Sequence, residues 1–167
     1  MDIQQKTEHL KFILNRYDHY IESIQSKSNL YIGLNTLMLG GIVTLLTNIS
    51  LCKMNFVLCA IVLIIAFLSI ISIIITLFAI KPHLSSGSSN NSIIFFNNVS
   101  KISHDKYLEN IENSTDETLK NDIVNQVHCV ATGLTNKYRN LSKVSWLLTI
   151  QFAALLIWII LFTIKNH

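Results

Sequence analysis

Apolar residues in this chain collect into three uninterrupted runs, residues 30–49, 54–80 and 144–164, and none of the three contains Asp, Glu, Lys, Arg or His. Each run is longer than the 18 or so uncharged residues needed to cross roughly 30 Å of hydrocarbon. Three such runs leave too little polar sequence to cover them in water, so each predicts a spanning helix. Ahead of the first run, Leu10, Ile13, Leu14, Tyr17, Ile21 and Ile24 recur at intervals of three and four, one face of a helix. No proline or glycine precedes Gly33, so one helix is predicted from about Gln5 to Ile49. At 1.5 Å per residue it is on the order of 65 Å long, about half of it beyond the bilayer. A second stripe, Leu119, Ile123, Val127, Val130, Leu134, Tyr138 and Leu141, leads into the third run, with only the tolerated Gly133 inside it. It predicts another long helix, ending near Ile164.

Between these helices Lys81-Pro82 stops the second span, because a residue before proline disfavours the α region. Residues 84–91, rich in Ser, Asn and Gly, read as a loop. Residues 92–102 fit a short strand or a short helix equally well. Ser103 is placed to cap a helix over 104–111, and Ser114 with Glu117 matches a capping box that sets Asp116 and Glu117 at the positive end of the next helix. The predicted class is an all-α membrane protein: a cytosolic amphipathic helix (1–29), transmembrane helices at 30–49, 54–80 and 144–164, and a cytosolic helical segment (81–143). The cytosolic helices are expected to form a small bundle.

Charge sets the orientation. Only 14% of residues are charged and mean hydropathy is +0.43. Eleven of the thirteen Lys and Arg residues lie in 1–29 and 81–143; the other side has only Lys53 and Lys165. The positive-inside rule places the N-terminus in the cytoplasm, and the turn near Ser50–Lys53 and the C-terminus outside. No cleavage pattern follows the first apolar run, so the N-terminus is expected to be retained. A net charge of +3, mixed with acids, does not suggest nucleic-acid binding.

No catalytic constellation is found. The six histidines, His9, His19, His83, His104, His128 and His167, stand singly, and Cys52, Cys59 and Cys129 share no metal-ligand spacing. The expectation is a protein that is not an enzyme and needs no cofactor. Arg16, Lys81, Lys137 and Arg139 can supply charge to an anion near the bilayer, with Tyr17, Tyr20, Phe95, Phe96 and Tyr138 as stacking surfaces. Cations just inside a membrane are also what topology alone produces. Gly33, Gly40 and Gly41 permit close helix approach in the first span, either in hairpin packing or along a pore. With only about 90 residues outside the bilayer to form a core, a homo-oligomer is expected.

The order of features carries a resemblance: amphipathic helix, two-span hairpin, Lys81-Pro82, Phe95-Phe96-Asn97, Tyr107-Leu108, Asp122-Ile123, and Lys137-Tyr138-Arg139 before a last span. Over nearly its whole length the chain resembles the transmembrane effectors of Pycsar bacterial antiphage systems. The resemblance implies a bacterial inner-membrane protein and a partner cyclase whose cyclic nucleotide is sensed by the cytosolic helices. Sensing would then disrupt the membrane by oligomeric rearrangement. Related effectors are triggered or restrained by their nucleotide, and the sign stays open. With it, the candidate nucleotide-binding residues are Lys81, Phe95, Phe96, Lys137, Tyr138, Arg139 and, about 20 Å above the bilayer, Arg16. A ligand-independent channel or holin-like pore, and an adaptor docking another protein, are the other readings.

Overall fold

A computed structural model describes residues 2–48, 56–81 and 92–166. Five helices appear among them, and no strand: α1 (Ile3–Asn48), α2 (Phe56–Ile80), α3 (Phe96–Val99), α4 (His104–Glu112) and α5 (Asp116–Asn166). The long helices predicted at either end of the chain are therefore continuous. α1 starts two residues earlier than expected because Asp2 and Gln5 cap it: the Asp2 carboxylate accepts from the Ile3 amide (2.7 Å) and the Gln5 side chain from the Asp2 amide (3.2 Å). The predicted turn at Ser50–Lys53 and the loop at 84–91 lie outside the described residues.

The ambiguous stretch at 92–102 becomes a turn followed by the single helical turn of α3. Ser103 caps α4 as expected, its hydroxyl accepting from the Lys106 amide. The capping box of α5 is shifted by one residue. The Ser114 hydroxyl is already bonded to the Ile111 carbonyl at 2.7 Å. The cap falls instead to Thr115, whose hydroxyl accepts from the Thr118 amide (3.2 Å) while the Thr118 hydroxyl accepts from the Thr115 amide (2.8 Å). Glu117 keeps only its favourable place at the helix dipole.

The chain divides into two compact units. A polar unit takes α1 up to Ser23, α3, α4 and α5 up to Asn136; an apolar unit takes α1 from Ile24, α2, and α5 from Lys137. In the polar unit Ile123, Leu134 and Phe95 are buried, and Leu10, Ile13, Leu14 and Tyr17 are half-buried, as their spacing predicts. Ile21, on the same stripe, is exposed.

Two hydrogen bonds set the register of the apolar unit. The Lys137 ammonium donates to the last carbonyls of α2, and the Trp158 indole donates to the Leu58 carbonyl near its start (3.2 Å). α5 therefore runs antiparallel to α2. The Lys27 ammonium stands 5.9 Å from the centre of the Tyr138 ring, and Met38 and Ile42 pack in one cluster with Leu58, Val62, Ile65 and Trp158, so α1 runs parallel to α5. All three helices are long and apolar enough to cross a membrane. Outward-facing Leu37, Phe67, Phe78 and Trp146 give the unit an apolar surface suited to lipid. A Cβ added to Gly33, Gly40 or Gly41 would meet nothing within 4 Å. Among the described residues the glycines thus face open space, which does not favour hairpin packing, one of the two uses expected of them.

Candidate functional site

The most elaborate polar arrangement lies in the polar unit, around Asp122. Capping by Thr115 and Thr118 starts α5 so that Asp122 and Gln126, one turn apart, face the turn at 92–95. One carboxylate oxygen of Asp122 accepts from the Ser92 hydroxyl (3.0 Å) and from the amides of Ile93 (2.9 Å) and Ile94 (3.2 Å). Ser92 in turn accepts from the Phe95 amide (3.0 Å) and the Gln126 side chain (3.4 Å). The Tyr107 hydroxyl donates to the Ile93 carbonyl at 3.3 Å, which ties the same turn to α4. The second oxygen of Asp122, Oδ1, is buried and has no partner among the described residues.

This network forms one wall of a cavity of about 580 Å³ between α3, α4 and α5. Its lining includes five carboxamides, Asn98, Asn110, Asn113, Asn121 and Asn125, with Ser114 and Thr118 hydroxyls, the apolar side chains of Ile93 and Ile102, and one cation, Lys106. Volumes of roughly 300–1,000 Å³ are usual for small-molecule sites. Carboxamides present donors and acceptors side by side, so the wall can match a ligand edge that does the same.

None of the candidate nucleotide-binding residues named from the sequence lines this cavity. Arg16, Phe95 and Phe96 lie in the polar unit, and Lys81, Lys137, Tyr138 and Arg139 in the apolar unit. Phe95 is buried against Phe96 (ring centres 5.0 Å apart), whereas Phe96 is 63% exposed. Arg16 lies over the Tyr20 ring and donates to its hydroxyl at 3.2 Å. Lys137 donates to the carbonyls of Ala79 (2.9 Å), Ile80 (3.4 Å) and Lys81 (3.0 Å), closing the C-terminus of α2. Partial burial pulls its ammonium below the ordinary lysine range. Arg139, two positions on, points to a different face of α5, because residues two apart on a helix do not share one. Among the described residues no three His, Cys, Asp or Glu side chains gather as a metal site would require.

The Pycsar effector protein domain matches residues 9–164, almost the whole chain. The chain belongs to the Pycsar effector family. With its three membrane-length helices, it is a membrane effector of antiphage defence. Membership implies a cyclic-nucleotide signal from a partner cyclase. No curated protein and no solved structure matches the chain. Sequence reasoning reached Asp122 and Tyr107 only as part of the resemblance and gave them no role. It passed over the asparagines, which ordinarily signal caps and turns. The visible clue was their spacing, Asn110 on α4 with Asn113 at its C-cap, and Asn121 with Asn125 on α5.

Proposed function

We propose that this effector binds a cyclic mononucleotide in the cavity beside Asp122 and, when it does so, compromises the integrity of the inner membrane. The observation that carries the reading is the composition of the cavity wall among the described residues: one ammonium, Lys106, for a phosphodiester, and carboxamides with the Asp122 carboxylate for the donors and acceptors of the base. A cyclic dinucleotide would bring two phosphodiester charges to a wall whose described residues offer one cation and already carry the Asp122 carboxylate. Asn121 and Asp122 sit on α5, the helix whose later residues enter the apolar unit, so the covalent continuity of α5 offers a route for the signal. The polar unit is assigned to the cytoplasm by the basic residues at 1–29 and 81–143. Assembly into a homo-oligomer is assigned to the glycine face of α1, which meets no other described residue of the subunit.

Calorimetric titration of cyclic mononucleotides and dinucleotides into the detergent-solubilised protein tests the ligand and its place together. Lys106→Ala and Asn121→Ala are expected to lose most of the affinity, and Arg139→Ala and Phe96→Ala to keep it. The reverse pattern would move the site to the residues singled out from the sequence. In cells, toxicity that requires the cyclase supports a ligand-triggered effector; toxicity without it supports a constitutive pore.

A further inference from the structure

The interior of the apolar unit changes character along its length. Toward the end marked by Lys137, α1 buries Ser28 and Asn35 and α2 buries Ser69, Ser72 and Thr76, all 0% exposed. Toward the end marked by Trp158, α1 buries Met38 and Ile42, and α2 buries Leu58, Val62 and Ile65. On α5, Leu141, Val144 and Leu148 wall the polar half, and Gln151, also 0% exposed, stands before Trp158.

Some of these polar groups are locally occupied. Ser69 donates to the Ile65 carbonyl, Thr76 to that of Ser72 and the Asn35 amide to that of Tyr31, all within their own helices. The Ser28 and Ser72 hydroxyls, the Asn35 carbonyl oxygen and both polar atoms of Gln151 have no partner among the described residues. Two are carboxamides that leucine would replace with similar volume and no desolvation penalty. Within hydrocarbon such groups are costly unless they meet water, an ion or a partner.

We infer that the polar half is a hydrated path for small monovalent cations, and that the Met38, Ile42, Val62, Ile65 and Trp158 cluster is its gate. The inference rests on the reading of this unit as membrane-spanning and deepens the proposed loss of membrane integrity. Amide and hydroxyl oxygens are neutral dipoles that can stand in for part of a cation's hydration shell. The buried set contains no carboxylate, the group on which divalent-cation sites depend. An apolar constriction blocks conduction by excluding water, and the Trp158 indole bonded to the Leu58 carbonyl latches it.

The test is thallium-ion influx into liposomes holding the full-length protein, beside release of a large trapped dye. Ile65→Ser, in the gate, is expected to raise thallium influx many-fold without nucleotide and without releasing dye. Val62→Ser repeats the test at a second gate position, and helix content with a single elution peak identifies folded protein. With nucleotide, Gln151→Leu and Asn35→Leu are expected to cut thallium influx several-fold while calorimetric binding is unchanged. If both folded gate variants stay as tight as the parent protein, or if dye and thallium pass together and Gln151→Leu changes neither, the path is overturned. Failure of nucleotide sensing alone would leave the ligand-free leak of the gate variants intact, so the two readings fail separately.

Discussion

Each unit buries polar side chains, and the two partner them to different extents. In the polar unit one oxygen of Asp122 holds three donors and Ser92 is bonded on several sides, so these groups act as fasteners for the turn at 92–95. In the apolar unit Gln151 and Ser72 are wholly buried, and among the described residues their side-chain polar atoms have no partner. Fasteners lower the energy of one conformation. Unpartnered groups raise it and favour any alternative in which they find water, an ion or a neighbour. The contrast separates a region built to hold one shape from a region poised to change.

The sharpest way to break the contrast is to remove a fastener. Asp122→Ala strips three hydrogen bonds to a carboxylate and is expected to cost about 3 kcal/mol of stability in the polar unit. Hydrogen exchange at the Ile93 and Ile94 amides reads it locally; unchanged protection would show that the turn stands without Asp122. The opposite sign is expected in the apolar unit. Gln151→Leu removes two unpartnered groups and is expected to stabilise by about 2 kcal/mol, read as a higher melting temperature in detergent. A lower one would mean that Gln151 has partners in the assembled protein.

A smaller effect separates two neighbours. Thr115→Ala should cost about 1 kcal/mol as loss of the α5 cap, and Ser114→Ala clearly less, because Ser114 is not the cap. Denaturant midpoints of both variants decide, and equal losses would restore the capping box at Ser114 and Glu117. Smallest is Lys137, which bonds the last carbonyls of α2. Lys137→Met should lose about 0.5 kcal/mol of charge–dipole stabilisation at the end of α2. Its pKa is lowered by burial in the folded protein, so the unfolded chain binds more protons between that lowered value and the ordinary lysine pKa. Stability contributed through this group therefore rises as pH climbs through that window. A pH titration of the melting temperature should show the rise in the parent protein and not in Lys137→Met.

How much of this was legible in the sequence depends on the range of the interaction concerned. The spanning lengths, the two long helices and the cap at Ser103 follow from neighbours within a turn or two, where period, hydropathy and hydrogen-bonding groups are written out in order. The face of α1 from Leu10 to Tyr17 was legible for the same reason, since it follows from 3.6 residues per turn. The shift from Ser114 to Thr115 was not, because it turned on which of two adjacent hydroxyls the preceding carbonyl at Ile111 had already engaged.

Only the tertiary structure decided the cavity and the polar interior. Asp122 lies some thirty positions from the turn it grips, and Lys137 more than fifty from the carbonyls it closes. Such pairings depend on how helices pack, and no local pattern encodes them. The same holds for Asn35, Ser72 and Gln151, each an ordinary polar residue in an apolar run until three helices turn them inward together. A helix specifies its own faces through its period, but which face meets which neighbour is set by the combined burial of all three, and that sum exists only in the folded chain.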